Sequence, residues 1–117
     1  MARVKAAFIF VALDVDLNDN CKQFLTPKAL DLMVIGVRDY QQAAKVAKDL
    51  VGKGYTAIEL CGGFGNLGVG IVAQAVGNKV AVGAIRFDCH PSLKCKSGDD
   101  INMGSACINV SYNCSTI

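Results

Sequence analysis

The chain has 117 residues, 52% of them hydrophobic and 19% charged, with 12 Lys and Arg against 10 Asp and Glu for a net charge of +2. This excludes intrinsic disorder, and the length leaves room for one core rather than two. The near-neutral balance, without a basic run, argues against nucleic acid as the main partner. The longest apolar run, Ala6 to Leu13, is eight residues, far below the roughly 20 needed to span a bilayer. Such an apolar composition in so small a chain predicts self-association, most simply as a homodimer.

Val4 to Val11 is rich in β-branched and aromatic residues and runs into Asp14, Asp16, Asn18, Asp19 and Asn20, so it reads as a buried strand entering a loop. Met1 to Lys5 and the apolar run after them imitate a signal peptide, but Asp14 and Asp16 stand where a small-residue cleavage site belongs, so a cytoplasmic protein is expected. The loop is read as about 15 residues with at most a helical turn. Leu30 to Val37 is the second strand. Asp39 is a good N-cap, and Tyr40, Ala43, Ala44, Ala47, Leu50 and Val51 recur at helical spacing until Gly52 and Gly54 stop them. Tyr55 to Cys61 is a third strand, Gly62 to Gly65 a turn, and Val69, Val72, Ala73 and Val76 mark a shorter helix ending at Gly77. Val80 to Phe87 is a fourth strand. Apolar strands separated by helices predict a small α/β fold of about four mainly parallel strands with two main helices. The pattern fails from Cys89 onward, so a single domain is expected over 1–99, with 100–117 an irregular tail or one edge strand at Ala106 to Tyr112.

In such sheets ligands gather outside the carboxyl ends of the strands. Those ends carry Asp14 and Asp16, then Arg38 and Asp39, then Cys61 with its glycines, then Arg86, Asp88 and His90. If the fourth strand persists to Pro91, Arg86, Asp88 and His90 point the same way. Gly63-Phe64-Gly65-Asn66-Leu67-Gly68 has the spacing of a dinucleotide fingerprint between a strand and a helix, and Asp88 follows Gly68 by twenty residues. Its place on the third strand, with no second nucleotide-binding half behind it, argues against a full dinucleotide. A smaller anion, phosphate or carboxylate, is expected at Gly62, Gly63, Phe64 and Gly65, with Arg86 and Asp88 beside it. Glu59 stands inside an apolar strand, where an unpaired charge is costly. It is either a structural partner of Arg86 or, with His90, an acid or base for lyase or isomerase chemistry. Cys61 is a core residue or a thiol activated at a helix start. The sequence names no cofactor, and it leaves open a metal at Asp14, Asp16, Asp88 and His90. The six cysteines contain no Cys-x-x-Cys pair. They read as reduced thiols, with a disulfide framework or a zinc site at Cys89, His90, Cys95 and Cys107 as lesser alternatives. A non-catalytic oligomeric interaction module, with Glu59 and Arg86 structural, is the competing function.

The segments Val4 to Phe10, Val34 to Val37, Ala57 to Gly65, Val82 to Asp88 with His90-Pro91, and Lys96-Ser97-Gly98-Asp99 together resemble a family of short bacterial α/β proteins catalogued as a domain of unknown function. The Glu59-Leu60-Cys61-Gly62-Gly63-Phe64-Gly65 block is the most specific part. The resemblance covers about residues 3 to 99. It implies a cytosolic stand-alone domain and brings no activity with it.

Overall fold

In the computed structural model, which describes residues 3–16, 18 and 21–104, five strands form one sheet in the order β2-β3-β1-β4-β5. They are β1 (Val4–Val11), β2 (Lys22–Leu25), β3 (Leu30–Val37), β4 (Ala57–Leu60) and β5 (Ala81–Ala84). All neighbours are parallel except β2, which pairs antiparallel with β3 at the edge. The α/β class is as the sequence predicts, but β2 occupies the segment read as a loop. Its four residues are all exposed, so no buried face marks it in the sequence. The fourth expected strand is shorter than its apolar letters suggest: β5 stops at Ala84, and Arg86, Asp88 and His90 lie beyond it.

Helix α1 (Tyr40–Gly52) begins where predicted: the Asp39 carboxylate accepts the Gln42 N–H at 2.9 Å, and the Gln42 side chain accepts the Arg38 N–H at 2.9 Å. It ends as Gly54 turns left-handed at φ 87°. Helix α2 (Asn66–Val76) stops at Gly77, also left-handed. The two helices pack on each other and on one sheet face, burying Ala7, Ile9, Met33, Val37, Ile58 and Leu60 under Tyr40, Ala43, Ala47, Leu50, Val72 and Val76. This is what right-handed crossovers β3-α1-β4 and β4-α2-β5 require, since both move the chain in the same direction across the sheet. The described residues therefore form two layers, and among them no helix covers the other sheet face.

Register assigns Ala6, Phe8, Phe10, Leu32, Val34, Glu59 and Gly83 to that open face. The Phe10 ring lies over Gly36, where any side chain would displace it. Here the expectation of a buried Glu59 fails. Its neighbours Ile58 and Leu60 are buried under the helices, while Glu59 points to the uncovered side and is exposed. Arg86 does not pair with it. The guanidinium instead meets Asp88 at 2.9 Å, with both side chains mostly in solvent.

Beyond β5 the chain is more ordered than its composition suggests. A single 3₁₀ turn covers Pro91–Leu93, and a short helix α3 (Asp99–Asn102) leads to Met103, with Asn102 and Met103 both buried. The expected edge strand at 106–112 and Cys107 lie outside the described residues. Cys89 and Cys95 are joined in a disulfide, which corrects the reading of them as reduced thiols or zinc ligands; Cys21 and Cys61 are free. Among the described residues no three His, Cys, Asp or Glu side chains gather, so Asp14, Asp16, Asp88 and His90 do not converge.

Candidate functional site

The chain leaves β1 toward β3 and β2, and it leaves β4 toward β5. Between these adjacent strands the loops at the carboxyl ends diverge, and a crevice opens as expected at such a switch point. A cleft of about 510 Å³ lies there. Val11 to Asp14 form its β1 wall and Cys61 to Gly63 its β4 wall; His90, Ser92 and Leu93 close a third side, and Ile101 and Asn102 of α3 the fourth. Leu13 is 57% exposed at the cleft although it is large and apolar. The lining is mainly apolar, with Asp14, Cys61 and His90 as its reactive or charged groups.

His90 has a defined role in this wall. Its Nδ1 accepts the Ser92 N–H at 3.1 Å, so in the neutral ring the proton resides on Nε2. The ring stands 4.6 Å from the Phe87 ring, centroid to centroid, and both lie against the Gly62 backbone, where a side chain would collide with them. Cys61 is half-buried, and its Sγ accepts the Gly63 N–H at 3.3 Å. A buried Asn102 amide donates to the Gly63 carbonyl at 2.9 Å and fixes the turn from below.

The glycine turn is held from within the chain. Leu67 and Gly68 N–H groups at the start of α2 both donate to the Asp99 carboxylate at 2.9 Å. The Gly65 N–H donates to the Tyr40 hydroxyl at 3.0 Å, and that hydroxyl lies 2.9 Å from Asp99 and 3.2 Å from the Gly63 carbonyl. Burial, together with the nearby Asp99 charge, drives the Tyr40 phenol far above its ordinary range, so it stays protonated as a donor. Gly98 abuts the Gly63 carbonyl so closely that no side chain fits. Of the turn's N–H groups at which an anion was expected, Gly65 thus donates to a phenol, Gly63 to the Cys61 sulfur and Phe64 to the Cys61 carbonyl, while the next two donors, at Leu67 and Gly68, meet a carboxylate of the chain itself.

The expected site residues divide between two places. Phe64, Gly65, Arg86 and Asp88 border a depression of about 200 Å³ on the outer side of Phe87. Gly62, Gly63 and His90 border the larger cleft. Glu59 is in neither; it lines a shallow hollow on the open sheet face with Phe8, Gly83 and Ile85, so Glu59 and His90 are not brought together. Asp16 caps a local turn, accepting the Asn18 N–H at 2.9 Å. Sequence reasoning missed Tyr40, Asp99 and Asn102 as the groups that hold the turn. Asp99 caps a helix that starts more than thirty residues before it, and no local spacing marks such a cap.

A two-layer α/β protein with a cleft at the switch point of its parallel strands is the class these features define. The chain belongs to the family described as a family of unknown function, DUF6506, whose model matches residues 4–100. That span includes both walls of the cleft formed by β1 and β4, the His90 loop and Asp99. No curated protein and no solved structure matches the chain.

Proposed function

We propose that the protein binds a small molecule with an apolar body and a carboxylate or carbonyl oxygen, held in the cleft between the β1 and β4 loops. The observation that carries this reading is the pairing, in one cleft of ligand size, of a largely apolar lining with a histidine whose Nε2–H is fixed as a donor. The apolar body would rest on Val11, Leu13, Leu93 and Ile101, and the oxygen would accept from His90. Where that oxygen gains charge during a reaction, as in lyase or isomerase chemistry, the same N–H steadies it by hydrogen bonding. Asp14 disfavours ligands carrying a second negative charge. Hexanoate and neutral hexanol, titrated against isotope-labelled protein, test the reading. Hexanoate should shift the His90, Cys61 and Leu13 resonances, hexanol should shift only the apolar wall, and His90→Gln should abolish the difference. Hexanoate that leaves these resonances unmoved refutes it.

The open sheet face supports self-association as a second role. Val4, Leu25 and Ile85, each about half exposed or more, frame Phe8, Val34 and Leu32, with Glu59 the one charged residue among the strand positions of that face. A second copy laid face to face would bury it as sheets do in a sandwich. Sedimentation equilibrium should return a homodimer, and Phe8→Lys with Val34→Lys a monomer of unchanged circular dichroism. Among the described residues no helix is long and apolar enough to cross a membrane. We retain the cytoplasm as the proposed location, where a surface disulfide is transient rather than permanent.

A further inference from the structure

The wall that carries His90 is closed by the disulfide between Cys89 and Cys95. Both cysteines are exposed, and Lys94 and Lys96 bracket Cys95 in sequence. An exposed disulfide is open to thiol attack, and nearby positive charge favours the thiolate that leaves. Its loop spans six positions, and so short a closure restrains the unfolded chain less than a long one would. The loop it closes is conformationally costly. Lys94 at φ 54° and Cys95 at φ 60° are successive non-glycine residues in the left-handed region. They are held there by the cross-link and by turns in which Cys95 N–H and Leu93 N–H both donate to the His90 carbonyl at 3.0 Å. The same turns present the Ser92 N–H to His90 Nδ1.

We propose that Cys89 and Cys95 form a redox-reversible clasp that sets the orientation and tautomer of His90 in the cleft. The inference rests on the cleft as the binding site. In the reducing direction a thiolate of a dithiol attacks one sulfur of the bond, and its second thiol resolves the mixed disulfide. Cys89 and Cys95 each take up a proton, and the reductant leaves as a disulfide carrying the electron pair's deficit. The freed loop lets Lys94 and Cys95 leave the left-handed region, which withdraws the Ser92 N–H from Nδ1 and releases the ring from Phe87.

His90 is the chain's one histidine, so a long-range proton–nitrogen spectrum of the full chain contains a single imidazole. Peptide mass mapping first identifies the bond. In the oxidised protein the ring should be the Nε2–H tautomer. Dithiothreitol should move both nitrogens toward an averaged value, shift the Ser92 amide and weaken hexanoate binding at least about fivefold. The Cys89→Ser/Cys95→Ser chain should resemble the reduced protein and ignore dithiothreitol. An imidazole spectrum and Ser92 amide unchanged by reduction overturn the clasp, as does an oxidised protein without this bond. Equal hexanoate affinity in both states overturns its control of the cleft. A redox-responsive His90 with no hexanoate binding in either state upholds the clasp and refutes the binding reading instead.

Discussion

Replacing Asp99 removes the acceptor for two backbone N–H groups at the start of α2 and one partner of the buried Tyr40 hydroxyl. Losing an N-cap costs about 0.5–2 kcal/mol, and the upper end applies here because two N–H groups share one carboxylate. The hydroxyl loses less, since it can turn its proton to the Gly63 carbonyl at 3.2 Å; we take about 0.5–1 kcal/mol for that. Asp99→Ala should therefore destabilise the protein by about 2–3 kcal/mol, a large share of the ~5–15 kcal/mol total for a domain. With an unfolding entropy near 2.1 cal/mol/K per residue, a chain of this length should lose roughly 8–12 °C in Tm. Asp99→Asn keeps one oxygen but turns an amide toward the helix end, and should lose about half as much. Urea unfolding of the three chains, followed by circular dichroism at constant m, measures the differences. Hydrogen exchange at Leu67 and Gly68 reports the cap directly. An Asp99→Ala protein that loses under about 0.5 kcal/mol and keeps these two amides protected would refute the assignment of Asp99 as the cap.

Tyr40 carries a pH prediction. Its folded phenol titrates far above the ordinary value of 10.0, so above that pH the unfolded chain gives up a proton that the folded chain keeps, and stability falls as pH rises. In an alkaline titration read by tyrosinate absorbance, Tyr40 should ionise only as the protein unfolds, and Tyr40→Phe should flatten the decline at a cost of about 1–3 kcal/mol near neutrality. Asp31, held below its ordinary range by the hydrogen bond and charge of Arg3, has the opposite sign: its contribution is present above its unfolded pKa and is lost as pH falls through the lower folded value. Being exposed, the pair should give Arg3→Ala only a slight change in acid unfolding midpoint, read by fluorescence or circular dichroism. Gly98→Ala places a methyl on the Gly63 carbonyl and should cost at least about 2 kcal/mol in urea unfolding, whereas Gly70→Ala, in open space on α2, should stabilise by about 0.5–1 kcal/mol.

Where a residue's environment is set by its own element, the sequence was legible. The limits of β1 and β3, the Asp39 cap and the glycine stops of both helices follow from periodicity and backbone preference alone. Glu59 was misread because its exposure depends on a global choice. Helices on both faces would bury every residue of β4, whereas helices on one face expose alternate ones, and the letters of a short strand do not distinguish these cases. Arg86, Asp88 and His90 were expected in a row because the apolar letters from Val80 to Ile85, with Phe87 after them, read as one long strand, yet a sheet edge supports pairing only as far as its neighbour extends, and β4 ends at Leu60. The carboxyl ends were the right region for a cleft, since strand order alone implies it. The disulfide was not readable from spacing, because a sequence separation of six specifies no geometry without the turn that closes it.

The glycine spacing shows why a motif in the right context still needs its three-dimensional neighbours. In a nucleotide loop such glycines clear space for a pyrophosphate. Here each clears space for the chain itself. A side chain at Gly63 would meet Val11 and Asn102, one at Gly65 would meet Ser97 and Asp99, and one at Gly68 would strike the Tyr40 ring. The partial positive charge at the start of α2 is met by Asp99, so a bound anion there would have to displace a covalently tethered carboxylate and then sit beside it. The helix dipole therefore stabilises the fold at this point, and the cleft in which we propose that a ligand binds lies on the side of the turn that Asp99 leaves free. On that side stand Cys61, Gly62 and His90, which line the cleft together with Val11 to Asp14 at the end of β1.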